Sequence, residues 1–235
     1  MNFPTTHWTV VLNAGCNDSA AAATALEKVC RAYWYPLYAF ARHRGHDAPT
    51  AEDLTQSFFA RLFENDGLKS LDRQKGKFRS FLLAGLTNFL NNEWARDHAT
   101  KRGGGLKIIP WDEALAEELY RREPSTETTP EQLFERRWAY TLIELVLERL
   151  RLEHEVSGKE REFALLSPYL TNESDGKIYA EVATKLQTTE GAVKVALHRL
   201  RRRFGELLRR QIAHTVASPD QVEEEIRHLF AAISR

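Results

Sequence analysis

Apolar residues recur at intervals of three and four along most of the chain, and strict alternation of apolar and polar residues is rare. This spacing collects apolar side chains on one face of a helix, so the sequence predicts an all-α protein. The predicted helices cover approximately residues 20–44, 49–66, 78–96, 111–121, 130–150, 163–170, 178–186, 189–204 and 219–235.

Several residues mark where these helices begin, bend or end. Gly45 is expected to close the first helix as a C-cap, and Pro36 is expected to kink that helix or break it in two. Thr50 is expected to cap the second helix. Thr129 and Gln132 have the spacing of a capping box at the start of the fifth helix.

Changes in composition divide the chain into two helical domains. Residues 99–130 contain a Gly-Gly-Gly run, three prolines and many Ser and Thr residues, which predicts a flexible linker. The linker separates a domain over 20–98 from a second domain over 131–210. Residues 211–235 form a C-terminal extension with a helical apolar stripe that predicts docking on the protein or on a partner; its members are Val222, Ile226, Leu229, Phe230 and Ile233.

Composition excludes several classes of protein, and the acidic and basic residues are unevenly distributed along the chain. The 235 residues carry 33 basic and 33 acidic side chains, so bulk charge does not predict nucleic-acid binding. However, residues 112–162 hold 14 acids against 8 bases, whereas residues 188–210 hold 7 bases against 2 acids. Two cysteines, no secretory leader pattern and no apolar run long enough to span a bilayer predict a cytoplasmic protein without membrane contact.

Residues 178–204 have the pattern of a helix-turn-helix. Thr189 is placed to cap the second helix, whose predicted core stripe consists of Val193, Leu197, Leu200 and Phe204. The opposite face would then present Gly191, Lys194, Val195, His198, Arg199 and Arg202. A basic helix of this kind fits the major groove of DNA, although the same charges also suit an ordinary solvated face.

Three segments, in order, are similar to the extracytoplasmic-function (ECF) group of bacterial sigma factors. Residues 192–201, read as Ala-Val-Lys-Val-Ala-Leu-His-Arg-Leu-Arg, resemble the recognition helix of region 4. Residues 51–63 resemble region 2.2, and residues 77–96 resemble regions 2.3 and 2.4. The sequence departs from the family pattern in lacking a Leu-Pro pair before region 4, and in having Ser57 and Ala196 at positions where other residues are common.

The resemblance implies a function and a set of contact residues. It implies a sigma factor that binds core RNA polymerase through the clamp coiled coil and the flap, recognises the −35 element and melts the −10 element of promoter DNA. An anti-sigma factor is left open as a further partner, and no cofactor is implied. The implied −35 contacts are Thr189, Glu190, Lys194, Val195, His198, Arg199 and Arg202. The implied −10 contacts are Lys75, Lys77, Arg79, Asn88, Asn92 and Arg96, and the implied polymerase contacts are Asp53, Leu54, Gln56 and Phe59.

Other functional classes have weaker support. The eight histidines are scattered, no His-x-x-x-His or Cys-x-x-Cys pair occurs, and the glycine run lacks the lysine of a phosphate loop, so neither an enzyme nor a metal site is predicted. A stand-alone helix-turn-helix regulator of duplex DNA is the main alternative, and a purely protein-binding helical scaffold is the other. Neither alternative requires the motifs of residues 51–98.

Overall fold

The computed structural model describes residues 19–64, 77–97, 113–123, 128–170, 176–216 and 218–234. Within these ranges the regular structure is entirely helical, which confirms the predicted all-α fold. The helices there are α1 (Ser19–His43), α2 (Ala48–Glu64), α3 (Phe78–Asp97), α4 (Glu113–Arg121), α5 (Pro130–Val156), α6 (Glu160–Leu166), α7 (Gly176–Leu186), α8 (Glu190–Ala213) and α9 (Val222–Ile233). Short 3₁₀ helices cover Ser167–Tyr169 and Pro219–Gln221.

The chain divides into two compact units. Unit 1 comprises residues 1–141 and 212–235, and unit 2 comprises residues 142–211. The division therefore falls within α5 and near the end of α8. At the start of α5, in unit 1, Leu133, Phe134 and Trp138 are fully buried. The domains over 20–98 and 131–210, joined by a linker over 99–130, stay predictions.

Helix α1 is the centre of unit 1 and packs against α2, α3 and α4. Every residue from 32 to 41 is buried, and Trp34 stacks on Tyr38 with ring centroids 5.2 Å apart. Pro36 lies inside this continuous helix, so of the two predicted alternatives, a kink or a break into two helices, the break does not occur. An interior proline costs about 3 kcal/mol, and extensive burial on both sides of Pro36 can offset that cost.

The helix ends show which capping predictions hold. Gly45 has a φ of 96°, and the following N–H, from His46, donates to the Ala41 carbonyl at 3.4 Å, which confirms the predicted C-cap. The predicted cap at Thr50 is wrong, because α2 begins earlier and Asp47 Oδ1 accepts the Thr50 N–H at 2.9 Å. This hydrogen bonding to Thr50 lowers the pKa of the Asp47 carboxyl.

The start of α5 follows the sequence prediction. Thr129 Oγ1 accepts the Gln132 N–H at 3.2 Å, and Gln132 Oε1 accepts the Thr129 N–H at 2.9 Å. The predicted capping box is therefore confirmed.

Part of the predicted linker is a helix that packs on α1. In α4, Glu117 accepts hydrogen bonds from Arg42 at 2.9 and 3.0 Å and from the Tyr38 hydroxyl at 2.8 Å. The bonds from Arg42 lower the pKa of the Glu117 carboxyl. Just after α4, the buried Glu123 accepts a hydrogen bond from Tyr35 at 3.1 Å. A flexible connection remains a prediction for residues 98–112 and 124–127, which lie outside the described residues.

The C-terminal segment belongs to unit 1. The Phe78 N–H at the start of α3 donates to the Thr215 carbonyl at 3.2 Å. The buried face of α9 consists of Val222, Glu225, Leu229 and Ala232. This corrects the predicted stripe, because Phe230 is 42% exposed and a glutamate lies on the buried face.

Unit 2 is formed by the second part of α5 together with α6, α7 and most of α8, and α6 packs against α7. Its buried apolar residues include Val146, Leu150, Leu166, Val182, Ala183, Val193, Leu197, Leu200, Phe204, Leu207 and Leu208. The predicted core stripe of α8 is thus confirmed.

The connection between α7 and α8 is three residues long. Gln187 has a φ of 53°, the Thr188 N–H donates to the Ala183 carbonyl at 3.0 Å, and the Gln187 N–H donates to the Thr184 carbonyl at 3.3 Å. These bonds form the Schellman end of a helix, in which the left-handed position usually holds glycine. Gln187 therefore carries a backbone penalty that glycine would not.

Replacing Gln187 with glycine should stabilise the protein. Relief of the left-handed conformation outweighs the added flexibility of glycine in the unfolded chain, so we expect a gain of about 0.5–1 kcal/mol in the free energy of unfolding. Urea denaturation followed by circular dichroism measures the change. Gln187→Ala keeps the penalty and is the control; an equal gain in both variants would contradict the explanation.

Candidate nucleic-acid interfaces

The first candidate interface is the outward face of α8 in unit 2. All residues predicted to point outward there are exposed, namely Gly191, Lys194, Val195, His198, Arg199 and Arg202, as are Thr189 and Glu190 at the helix start. The predicted cap is confirmed, because Thr189 Oγ1 accepts the Ala192 N–H at 3.2 Å. The structure thus brings the predicted −35 residues together along one side of a single helix.

The exposed side chains differ in how they are held. Lys194 lies over the Tyr179 ring of α7, with Nζ 5.1 Å from the centroid. Arg202 pairs with Glu206 one turn further along, with 3.1 Å between Nε and Oε1. Val195 is half exposed, which leaves an apolar side chain between basic neighbours. Such a face can contact both phosphates and base edges, since thymine presents a methyl group in the major groove.

A cleft of about 500 Å³ runs beside this face within unit 2. Its walls come from the end of α5, the start of α6 and the first half of α8. Its basic members are His154, Lys159, Arg199 and Arg203, and Glu162 is its acidic member. The cleft adds the Lys159 ammonium and the His154 imidazole to the surroundings of α8; neither was singled out from the sequence, because each lies far from α8 along the chain.

An ion pair fixes the middle of α8 to α5. Arg203 donates to both carboxylate oxygens of Glu153 at 2.8 Å. Hydrogen bonds from Arg203 hold the pKa of the Glu153 carboxyl below its ordinary value. Arg203 is therefore occupied by the protein, while Arg199, one turn earlier, is exposed on the candidate interface.

The Glu153 carboxyl should make stability depend on acidic pH. Because its pKa is lowered on folding, its contribution is complete above the ordinary carboxyl pKa of 4.5 and is lost as the pH falls through the lower folded value. Both side chains are partly exposed, so we expect less than about 1 kcal/mol. Thermal melts from pH 7 to pH 3 should show a smaller acid loss in Glu153→Gln than in the wild type. Parallel curves for the two proteins would contradict the assignment.

The second candidate interface is the polar side of α3 in unit 1. Asn88 and Asn92 are exposed, as predicted for side chains that meet a DNA strand. Phe89 is buried, so its ring packs in the core and is not available to stack on a base. Lys75 lies outside the described residues, and nothing is described of the Arg96 side chain.

Lys77 and Arg79, also predicted to contact the −10 element, require a correction. Arg79 is buried, with its Nε donating to Glu225 at 2.6 Å and its guanidinium also paired with Glu135. Lys77 Nζ lies 2.9 Å from Glu224 and 2.9 Å from Glu225. Both cations are therefore occupied by the protein's own carboxylates in this structure. The sequence pattern missed this because the partners are more than 50 residues away.

The predicted polymerase contacts on α2 are divided between the surface and the core. Asp53 is exposed and Leu54 is half-buried. Gln56 is buried and donates to Glu52 at 2.8 Å, while Phe59 has no exposed surface. We therefore correct the prediction for Gln56 and Phe59: their burial leaves Asp53 and Leu54 as the members that a partner could reach.

A comparison with known families finds a match in this part of unit 1. Residues 31–100 match the family of sigma-70 region 2. The match includes α2 and α3, which carry the candidate polymerase and −10 residues, and it supports a sigma-70 family factor. Region 2 points to RNA polymerase binding and promoter melting. No curated protein and no solved structure matches the chain.

Proteins of the region 2 family are non-enzymatic transcription initiation factors, in agreement with the prediction that the chain is not an enzyme. Among the described residues, no group of three or more His, Cys, Asp or Glu side chains could hold a metal ion. No helix in the described ranges has the length and apolar character needed to cross a bilayer.

Proposed function

We propose that the protein is an ECF-type sigma factor, which binds core RNA polymerase and directs it to specific promoters. In this proposal residues 20–98 form the region 2-like domain, residues 131–210 the region 4-like domain and residues 211–235 an extension. The match of residues 31–100 to region 2 carries the proposal. A cytoplasmic location follows from it, because bacterial promoters and polymerase are there.

The −35 element is assigned to α7 and α8. Their short connection, the capped start of α8 and its exposed basic face support a helix-turn-helix reader whose second helix enters the major groove. The polar face of α3, with Asn88 and Asn92, is assigned to the −10 element. Unstacked bases expose hydrogen-bonding edges that small amide side chains can meet.

Core polymerase binding is assigned to the exposed part of α2, which would contact the clamp coiled coil through Asp53 and Leu54. A second contact with polymerase is assigned to the region 4-like domain, which would bind the flap. An anti-sigma factor would compete for these surfaces.

Co-purification with core RNA polymerase, followed by run-off transcription on genomic fragments, tests the proposal. We expect stoichiometric binding and initiation at a limited set of start sites. Asp53→Ala should weaken core binding, whereas Ser57→Ala, which is also exposed on α2, should not. Binding to duplex DNA without binding to core polymerase would instead indicate a stand-alone regulator. DNA binding insensitive to salt would be unexpected for a basic reader and would favour a protein scaffold.

A further inference from the structure

The acidic first turn of α9 forms ion pairs with two cations at the start of α3, namely Lys77, which directly precedes the helix, and Arg79. Lys77 Nζ is 2.9 Å from an oxygen of Glu224 and 2.9 Å from one of Glu225. Arg79 Nε is 2.6 Å from the other oxygen of Glu225. One short helix therefore supplies a carboxylate to each cation, and Glu135 of α5 supplies a second carboxylate to Arg79.

Burial of these ion pairs restricts the access of other anions to Lys77 and Arg79. The side chain of Glu225 is 1% exposed, that of Arg79 is 5% exposed and that of Lys77 is 18% exposed. A DNA phosphate therefore has no access to Arg79, and little access to Lys77, while α9 is docked. Carboxylate and phosphate oxygens make the same kind of charge-assisted hydrogen bond to these cations, so the two ligands must compete.

The sequence of the segment adds to the competition. Asp220, Glu223, Glu224 and Glu225 place four acids at or just before the start of α9, whereas Arg227 is the nearest arginine on the helix. Glu223 and Glu224 are exposed, so the docked helix also presents negative charge beside α3. That charge opposes the approach of DNA.

The length of α9 makes its release feasible. A helix of 12 residues is marginal in water by itself, so its order depends on docking. Its buried apolar side chains are Val222, Leu229 and Ala232, while the ring of Phe230 is partly exposed. Terminal segments of this kind open at lower free energy than the whole fold.

We infer that α9 is an autoinhibitory element that occupies Lys77 and Arg79 until promoter DNA, in complex with polymerase, displaces it. The inference rests on the proposed function, because it assigns the same two cations to DNA once α9 is released. It also explains how residues predicted from the region 2 resemblance can be buried in the free protein.

Charge variants of the full chain test the competition. Glu224→Lys removes a carboxylate that touches Lys77, whereas Asp220→Lys makes the same change in charge on an exposed residue of the same segment. Affinity for a labelled single-stranded DNA of mixed sequence is measured by fluorescence anisotropy. We expect Glu224→Lys to bind roughly tenfold more tightly than Asp220→Lys, and this difference should vanish when Lys77 is also alanine. Equal affinities of the two variants would overturn the inference.

The double variant Glu224→Gln/Glu225→Gln should free Lys77 and leave Arg79 with Glu135 as its carboxylate partner, so it should steepen the dependence of affinity on salt by about one phosphate contact. Because Glu225 is buried, this variant also weakens folding, so a measurement on the wild type accompanies it. Hydrogen exchange of the α9 amides should be faster in the promoter–polymerase complex than in the free protein. Unchanged protection in that complex would overturn the inference while leaving the proposed function intact, whereas failure to bind core polymerase would overturn the proposed function itself.

Discussion

Replacing Arg79 with alanine should lower the free energy of unfolding by about 3–5 kcal/mol. The guanidinium is buried, it pairs with Glu225 and Glu135, and its Cζ lies 5.0 Å from the centre of the Trp138 ring. The substitution leaves the buried carboxylate of Glu225 with Lys77 as its remaining cation. Guanidinium chloride denaturation of the full chain, followed by circular dichroism, measures the loss.

Removing the buried pair of Arg79 and Glu225 together is the matched control for this prediction, and it leaves in place Glu135, whose side chain is 22% exposed. Arg79→Met/Glu225→Leu exchanges the buried pair for apolar side chains of similar size, and should cost much less than Arg79→Ala alone. A loss of less than about 1 kcal/mol for Arg79→Ala would show that the ion pair adds little to the fold. It would also weaken the case that α9 is held by these charges.

The double substitution Lys194→Ala/Arg199→Ala should reduce affinity for upstream promoter duplex by at least about tenfold while leaving core polymerase binding unchanged. Both side chains are exposed on the first half of α8, the part of a recognition helix that approaches base edges. Loss of one good base contact costs about 1–3 kcal/mol, and 1.4 kcal/mol is a factor of ten in affinity. Electrophoretic mobility shifts at fixed salt provide the measurement.

Arg210→Ala is the control on the same helix. Arg210 is exposed in the last turn of α8, where a major-groove helix has moved away from the bases, so this variant should bind nearly as well as the wild type. Equal losses for Arg210→Ala and for the double variant would indicate attraction by net charge without a specific interface. Parallel loss of polymerase binding in the double variant would contradict separate functions for the two units.

The helices and the outward face of α8 could be predicted because local rules determine them. The spacing of Val193, Leu197 and Leu200 requires a single buried side, and the opposite side then follows from helix geometry. The same holds for the capping box at Thr129, whose two bonds are formed within four residues. Both elements depend only on nearby sequence.

The state of Lys77 and Arg79 could not be predicted in this way. Their counterions lie in α5 and α9, more than 50 residues along the chain, and a basic cluster looks the same in sequence whether it is solvated or paired. Glu225 was missed for the same reason, since a helical apolar pattern counts a glutamate as exposed. The capping residue of α2 was mispredicted for a different reason. Asp and Thr are both good N-caps, and the helix begins at Ala48, three residues before the start that a cap at Thr50 implies, so that Asp47 is the cap.

The close approach of α2 and α3 rests on the absence of one methyl group. A Cβ at Gly85 would lie 3.3 Å from the Phe58 ring, which is tighter than nine in ten real Cβ contacts, so the ring or the helix would have to shift by a few tenths of an ångström. Asn88 follows one turn later on the same helix and would move with it. Paired substitutions at Gly85 and Phe58, for example Gly85→Ala with Phe58→Leu, therefore offer a way to change the distance between α2 and α3. Such a change would shift the position of the Asn88 amide without altering any residue assigned to DNA.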